Sequence, residues 1–317
     1  MNLQYSLVTT VFNDNEEIIE LIKEMEHQTL APQEFLIADG GSKDGTPDKI
    51  REYALKSPLN IKVLQKGRLN IAQGFNYAIK NSSCDYIGIV ACGNHYPVNF
   101  FELLLEDIQN NSEIVSAYSG VRGVGNTNFS EIYTKLLMGG RKFTEKFPTN
   151  HGNLTCKKVF EEEGYFYEKF QYAGEDQEFF LRIINSNYSV YADERLEIQW
   201  QVPSTFQEFI KQQNGYIVSD MEMYDNNVFL RVYWGRIRYI FIFVCMIIFL
   251  FIPITRIGGM CFLVYLLYRN LKNIFRYGIE YAGLYNIFHL LTGYVIFKNM
   301  KFLLKKNKIE HPLRDYT

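Results

Sequence analysis

The stretch that decides the fold is Tyr86-Ile87-Gly88-Ile89-Val90-Ala91-Cys92-Gly93-Asn94-His95-Tyr96-Pro97. Its first five residues form an apolar, β-compatible run, and the strand that they predict stops at a turn of small residues. In an open α/β sheet, ligands bind in the crevice beyond the carboxyl ends of the strands, so charged groups for chemistry are expected at this turn. The turn contains no acidic residue. The predicted function depends on how that absence is explained.

The segments before this stretch alternate between strands and helices. Helices are predicted between four strands, which are residues 5–11, 35–39, 61–64 and 86–90. The loop 40–45 is rich in glycine, and Thr46-Pro47 then marks a helix start, where the missing N–H of proline costs nothing. This alternation predicts right-handed βαβ units and a mainly parallel sheet. The fold class is therefore α/β, with a doubly wound nucleotide-binding type of domain in roughly the first 110 residues.

The composition argues against several classes of protein. The 33 basic residues nearly balance the 35 acidic ones, and a net charge of −2 creates no field that would attract nucleic acid. Five cysteines without CxxC spacing argue against a disulfide framework and against a zinc site. The simplest interpretation is a reducing, cytosol-facing location. Consistent with this, the N-terminus lacks the basic and apolar regions of a secretory signal.

The pattern weakens from Gly120 to Asn150, where glycines are frequent and one helix is predicted at Ile132–Met138. Such a composition is typical of mobile loops over an active site. Order returns beyond it, with a helix start at Glu175-Asp176. The other elements predicted there are a strand at 153–156, a helix through 159–160, short strands at 188–191 and 196–200, and an amphipathic helix at 205–218.

The last third of the chain is apolar and aromatic. Tyr239–Thr255 is an uncharged run of 17 residues, and Ile257–Tyr268 is a second run of 12. A full span needs about 20 residues, so a hairpin dipping into the bilayer, or one tilted span plus an interfacial helix, fits these lengths better. A third apolar segment, Tyr281–Phe297, ends in a group of lysines that would lie near anionic lipid on the cytoplasmic side. The alternative is a buried helical domain of a soluble protein.

Several motifs in sequence order resemble one family. The opening strand 6–13, the loop Ala38-Asp39-Gly40-Gly41-Ser42-Lys43-Asp44-Gly45-Thr46, the blocks 159–166 and 174–178, and the segment 289–294 are similar to those of the inverting family 2 glycosyltransferases. The chain resembles most the exopolysaccharide, succinoglycan-type branch, which has a GT-A fold and a membrane-associated C-terminus. The resemblance implies a GT-A domain at 1–225, whose nucleotide-sugar-binding half is 1–110 and whose acceptor half is 111–225, and a membrane-associated helical region at 226–317.

The resemblance also implies the residues that bind the donor. Asp39 would accept the N–H of uracil or another base, while Thr10, Val11 and Phe12 would line the base. The alternative for Asp39 is a turn carboxylate that caps the amides of its own loop. The remaining candidates for donor binding are Asn76, in the helix beneath the nucleotide-sugar, and Arg68.

Asp176 is the best candidate for the catalytic base, with Glu175 beside it. Transfer with inversion needs a carboxylate that takes the proton of the acceptor hydroxyl while the anomeric carbon is attacked from the face opposite the leaving group. The alternative is that acids in a first helical turn only complement the helix macrodipole. The resemblance favours catalysis.

The acids that the family uses to hold Mg²⁺ or Mn²⁺ against the diphosphate are replaced here by Ala91 and Gly93. The sequence therefore supports no metal cofactor, and Cys92 is a poor ligand for a hard cation. Asn94 and His95 are weak candidates for holding a displaced metal. Basic side chains are a second replacement, and the candidates are Lys66, Arg68, Arg122 and Lys211. A third interpretation is that the chain does not catalyse.

Together these features predict an inverting glycosyltransferase of cell-surface or exopolysaccharide biosynthesis at the cytoplasmic face of the cell membrane. Its donor would be a nucleotide-sugar, with a UDP-sugar favoured, and its acceptor a lipid-linked sugar or a polysaccharide. The alternative is a catalytically impaired pseudoglycosyltransferase that acts as a binding or scaffolding subunit. A third class is a soluble nucleotide-binding module with a helical domain, which would not need detergent.

Overall fold

The computed structural model describes residues 4–138, 148–170, 172–251 and 256–303. Its eight strands are β1 Tyr5–Val11, β2 Glu34–Asp39, β3 Ile61–Gln65, β4 Tyr86–Val90, β5 Asn94–His95, β6 Ile114–Val124, β7 Gly152–Cys156 and β8 Ser189–Gln201. They form one sheet in the order β3-β2-β1-β4-β7-β6-β8-β5.

Twelve helices are described. They are α1 Glu17–Glu26, α2 Thr46–Ala54, α3 Ile71–Asn81, α4 Phe100–Asn110, α5 Asn128–Met138, α6 Lys157–Glu163, α7 Glu175–Asn185, α8 Phe206–Met223, α9 Asn226–Phe251, α10 Arg256–Tyr277, α11 Ile279–Lys298 and α12 Met300–Leu303.

The first half of the sheet is parallel, as the sequence predicts. Strand β1 pairs in parallel with β2 on one side and with β4 on the other, and β2 pairs in parallel with β3. The strand order therefore reverses at β1, and in doubly wound sheets such a reversal opens a crevice for ligands at the carboxyl ends. The second half contains antiparallel pairs. Strand β7 pairs with β4 and with β6, and strand β5 pairs with β8. The sheet is thus mixed.

The core lies on both faces of this sheet. Consecutive residues of a strand point to opposite faces, and Leu7 and Val8 of β1 accordingly join two different buried clusters. Gly88 of β4 makes room on one face, because a Cβ there would collide with the ring of Phe101 and with Leu7. Burial on both faces holds β1 and β4 rigid, and their carboxyl ends are therefore fixed points for a site.

The chain divides into two compact units, Met1–Gly123 with Lys142–Gln201, and Val124–Arg141 with Val202–Thr317. The boundary at residue 225, which the resemblance implies, stays a prediction. In the second unit, the apolar run 257–268 lies within α10 and the run 281–297 within α11. The run 239–255 lies within α9 as far as Phe251, and its last four residues fall outside the described part of the chain.

One helix among the described residues, Asn226–Phe249, is long and apolar enough to cross a membrane, with a hydropathy of 1.7. A buried core helix passes the same test of length and composition. In this helix, however, only 12% of the apolar window is buried within the protein.

Candidate active site

Loops that follow β1 and β2 are joined by hydrogen bonds at the carboxyl edge of the sheet. The amide of Asn13 donates to Ser42 Oγ at 2.8 Å, and the amide of Lys43 donates to Asn13 Oδ1 at 2.9 Å. Asn13 has φ +51°, a left-handed conformation that asparagine tolerates better than most residues. Asn13 therefore joins the two loops.

Asp39 is buried at the end of β2, and its carboxylate is held by its own loop. It accepts hydrogen bonds at 3.2 Å from the amides of Gly41 and Ser42 and from Nε2 of Gln65. This is the loop-capping geometry that the sequence left open as the alternative role. A carboxylate has about four acceptor positions, so these three donors do not prevent Asp39 from accepting a further hydrogen bond from a base. The contact of Asp39 with a base stays a prediction.

Phe12 and Arg68 form an exposed pair beside this loop. The ring of Phe12 is 50% exposed, and the guanidinium of Arg68 lies 5.7 Å from its centroid. Gly41 has φ +90°, and the backbone of Arg68 lies within 3.2 Å of where its Cβ would be, so glycine is needed for this approach. An exposed aromatic face with a cation beside it is suited to a base and a phosphate.

Thr10 and Val11 lie in β1 just before this pair. Val11 is buried and pairs with Asp39 in the sheet register. The hydroxyl of Thr10 donates to the carbonyl of Ala38 at 3.2 Å and packs so closely against Gly74 that no Cβ would fit there. The structure therefore brings together five of the predicted donor residues, Thr10, Val11, Phe12, Asp39 and Arg68.

Asn76 lies on α3 and holds a distant loop. Its Nδ2 donates to the carbonyl of Phe166 at 2.8 Å and to Glu168 Oε1 at 2.9 Å, and its Oδ1 accepts from the amide of Phe166 at 3.0 Å. Both amide hydrogens are thus used within the protein. The geometry gives Asn76 a structural role, and its donor-binding role stays a prediction without a contact that supports it.

The turn after β4 is organised by the hydroxyl of Tyr96. This hydroxyl accepts from the amide of Ala91 at 3.0 Å and donates to the carbonyl of His151 at 2.5 Å. Nδ2 of Asn94 donates to the same carbonyl at 3.3 Å, and Oδ1 of Asn94 lies 3.3 Å from Nδ1 of His151. Burial raises the pKa of the Tyr96 hydroxyl, so it stays a neutral hydrogen-bonding group.

This turn does not fit a divalent metal. Asn94 and His95 point to opposite faces of β5, and His95 is exposed and paired with Glu24, so the two weak candidates do not share a site. Burial raises the pKa of Cys92 to about 12, which keeps it a thiol. Among the described residues, no group of three or more His, Cys, Asp or Glu side chains could hold a metal ion.

The basic residues considered as replacements for a metal have different surroundings. Arg122 pairs with Glu197 at 3.9 Å, and the ammonium of Lys66 lies 5.6 Å from the ring centroid of Tyr77. Arg68 is the one that borders the predicted donor residues. Lys211 belongs to the second compact unit.

Glu175 and Asp176 begin α7, after Gly174 with φ +101°. The amides of Asn150 and Gln177 donate to the two carboxylate oxygens of Asp176 at 3.1 and 2.7 Å. The side-chain amide of Asn150 donates to Glu175 Oε1 at 3.1 Å. Burial, and secondly the charge of Asp176, raises the pKa of Glu175 well above its usual range. An uncharged acid therefore lies beside a carboxylate that two amides orient.

Two functional candidates were missed by the sequence analysis, Asn150 and His151. The register of β7 on β4 pairs Gly152 with Val90, which places His151 across from Ala91. Burial lowers the pKa of His151, while the charge of Asp176 opposes this shift, so the ring lies within electrostatic reach of the acids. Oδ1 of Asn150 is buried without a partner in the described structure. The predicted strand at 153–156 was the signal that could have pointed to these two residues. The start of a strand lies at the same edge of the sheet as the end of its antiparallel neighbour, so polar residues just before it lie near that end.

Comparisons with known proteins agree with this architecture. A mannosyltransferase from Pyrobaculum calidifontis, PcManGT in complex with GDP-Man and Mn²⁺, has a similar structure with a TM-score of 0.63, although only 13% of residues are identical. The similarity covers 92% of this chain and 86% of that one. Staphylococcus aureus TarS residues 1–349, in complex with UDP, gives a TM-score of 0.50 at 16% identity over 69% of this chain and 66% of that one. At these identities the likeness concerns the fold.

Sequence relatives point the same way. A dolichyl N-acetyl-alpha-D-glucosaminyl phosphate 3-beta-D-2,3-diacetamido-2,3-dideoxy-beta-D-glucuronosyltransferase of Methanococcus voltae is 26% identical, covering 93% of this chain and 96% of its own length. An uncharacterized glycosyltransferase of Bacillus subtilis (strain 168), YkcC, is 27% identical over 51% of this chain and 52% of its own length. The profile of glycosyl transferase family 2 matches residues 6–164, which is half of the chain. The chain therefore belongs to glycosyl transferase family 2 and has its GT-A fold.

Proposed function

We propose that this glycosyltransferase moves a sugar from a nucleotide-sugar, a UDP-sugar in the favoured case, to a lipid-linked or polysaccharide acceptor, with inversion at the anomeric carbon. The Methanococcus voltae relative, whose name describes a lipid-linked acceptor, aligns over nearly the whole chain and supports the choice of acceptor class. The apolar helix α9 supports a location at the membrane. The lysines that follow the third apolar segment favour its cytoplasmic face.

The observation that supports this proposal most directly is the position of the Asp176 carboxylate. Each of its oxygens accepts one amide hydrogen and keeps a lone pair, so it is oriented and still able to take a proton. The acceptor hydroxyl gives its proton to Asp176 as its oxygen bonds to the anomeric carbon. The bond from that carbon to the diphosphate oxygen breaks on the opposite face, and the nucleoside diphosphate leaves with the electron pair.

Phe12, Arg68 and the Asp39 loop are proposed to bind the nucleotide. The base would stack on the exposed ring of Phe12, and the guanidinium of Arg68 would face the phosphates, because its planar fork suits phosphate oxygens. Both side chains are exposed, and they contact each other. No step is assigned to a metal, because the turn at Ala91 and Gly93 offers no ligand set.

A second candidate function is a pseudoglycosyltransferase that binds donor or acceptor as a regulatory or scaffolding subunit. Replacement of two acids by Ala91 and Gly93 favours it. Purified full-length protein incubated with UDP-, GDP- and dTDP-sugars, with and without EDTA, separates the two functions. Release of nucleoside diphosphate that EDTA does not reduce supports the enzyme with the metal-free chemistry proposed here. Nucleotide binding without turnover of any donor supports the second function.

A further inference from the structure

Arg269 of α10 is enclosed by the neighbouring helices of the second unit. Its guanidinium carbon lies 4.1 Å from the ring centroid of Tyr239 on α9 and 5.3 Å from that of Tyr285 on α11. Its Nη2 donates to Oδ1 of Asn286 at 3.3 Å, an oxygen that also accepts from the hydroxyl of Tyr239 at 2.6 Å. Three helices thus contribute to the surroundings of one cation.

The charge of Arg269 has no acidic partner within the described residues. Its Nε is buried and makes no hydrogen bond. A contact with an aromatic face stabilises a cation, but it compensates only in part for the water that the charge loses on burial. By contrast, Arg236 of α9 interacts electrostatically with Asp220. Unlike Arg236, Arg269 therefore has a charge that an anion from outside the protein could neutralise.

His289 of α11 adds a second unpartnered polar atom beside the same two rings. Its imidazole centroid lies 5.0 Å from the ring centroid of Tyr239 and 4.3 Å from that of Tyr285. Its Nδ1 is buried without a hydrogen-bond partner. An imidazole can present an N–H at this position. Two potential donors, one of them charged, therefore border one pair of tyrosine rings.

We propose that Arg269 and His289 form a binding site for a phosphate group, carried by a lipid or present as a free phosphate ion. A guanidinium offers parallel N–H groups that match phosphate oxygens, and burial strengthens such charge-assisted hydrogen bonds. Ionisable side chains among apolar helices commonly mark binding sites rather than packing. The inference rests on the proposed function for its choice of lipid, since a site here would hold the phosphate of a lipid-linked acceptor.

The test is binding, measured without any sugar transfer, so that its outcome is independent of catalysis. Full-length protein is mixed with neutral phosphatidylcholine vesicles that contain either an isoprenyl monophosphate or no phosphomonoester, and co-flotation is measured. A calorimetric titration of detergent-solubilised protein with inorganic phosphate and with diphosphate forms the second arm. The variants are Arg269→Gln, His289→Phe and the control Arg276→Gln, which removes an exposed cation from the same helix.

We expect R269Q to weaken phosphate binding about tenfold or more, because it removes charge-assisted hydrogen bonds to the phosphate oxygens. H289F should weaken it several-fold, and R276Q less than twofold. If the protein co-floats with vesicles that contain the phosphomonoester but does not bind free phosphate, the site is specific for a lipid. If it binds in both experiments, the site recognises the phosphate group itself. If R269Q does not fold, H289F decides alone. Unchanged binding in R269Q or H289F, or equal losses in R269Q and R276Q, would overturn the site.

Discussion

The backbone amide of Asn150 donates a hydrogen bond to Asp176 Oδ2 at 3.1 Å, across 26 positions of the chain. The side-chain amide of the same asparagine holds Glu175. One residue at the start of the β7 segment thus orients both acids at the start of α7. Acids that only complemented a helix dipole would need no such partner, and this geometry is the local support for a catalytic assignment.

Glu175→Gln is expected to remove a pH dependence of stability. The folded-state pKa of Glu175 is raised, so folding favours its protonated form. Stability from this group is complete below the pKa of the unfolded carboxyl, about 4.3, and falls as the pH rises through the folded-state value. Urea unfolding across a pH series should therefore show a decline in the wild type that is smaller in E175Q. Glu20→Gln, at an exposed acid, is the control. Equal slopes in wild type and E175Q would contradict the burial of a neutral acid.

Asn76→Ala is expected to lower the free energy of unfolding by about 1–3 kcal/mol, because it leaves the buried amide of Phe166 without its acceptor. Nucleotide affinity should change little once the protein is folded. Chemical denaturation and equilibrium binding of UDP measure the two quantities separately. A loss of affinity with unchanged stability would show instead that Asn76 binds the donor.

Phe12→Ala is expected to weaken UDP binding about tenfold, since stacking of a base on an aromatic ring contributes about 1–3 kcal/mol. Stability should change by less than about 0.5 kcal/mol, because the ring is half-exposed. Leu55→Ala removes another exposed apolar side chain and serves as the control. Fluorescence or calorimetric titration gives the dissociation constants. Equal affinities for F12A and wild type would place the base elsewhere.

Introducing Asp at both Ala91 and Gly93 is expected to make UDP binding respond to Mn²⁺, which the wild type should not do. The Cβ of a residue at 93 would lie 3.9 Å from Gln201, so there is room for a side chain. The left-handed φ of +74° disfavours most residues but is tolerated by Asp and Asn. The matched control is the double Asn variant. If the double Asp variant binds UDP with no response to Mn²⁺, the turn does not adjoin the diphosphate.

The parallel half of the sheet could be predicted because its signals are local. Each strand is a short apolar run followed by a turn of glycine, asparagine or aspartate, and the run 86–90 coincides with β4. Strand β6 was not predicted. Its residues Ser116, Ser119 and Gly120 are typical of a loop, although all three are buried in the sheet. The two predicted strands at 188–191 and 196–200 are one strand, β8, and the charged residues Asp193 and Arg195 between them pair with each other.

The parts of the site that were missed depend on contacts between distant residues. His151 lies across from Ala91 only through the register of β7 on β4, and Asn76 bonds to residues 90 and 92 positions away. No local pattern contains these pairings. Asp39, Phe12 and Asp176 could be proposed as candidates because the motifs that contain them are short.

The central claim is that Asp176 accepts the proton of the acceptor. Asp48 provides a matched control, because it also lies in the first turn of a helix while its exposed carboxylate pairs with Arg51. Nucleoside diphosphate release by full-length protein, with a membrane extract as the source of acceptor, is measured for wild type, Asp176→Asn and Asp48→Asn. We predict that D176N lowers the rate about a hundredfold to ten-thousandfold while donor binding is retained, and that D48N has the wild-type rate. A D176N rate equal to that of D48N would contradict the account.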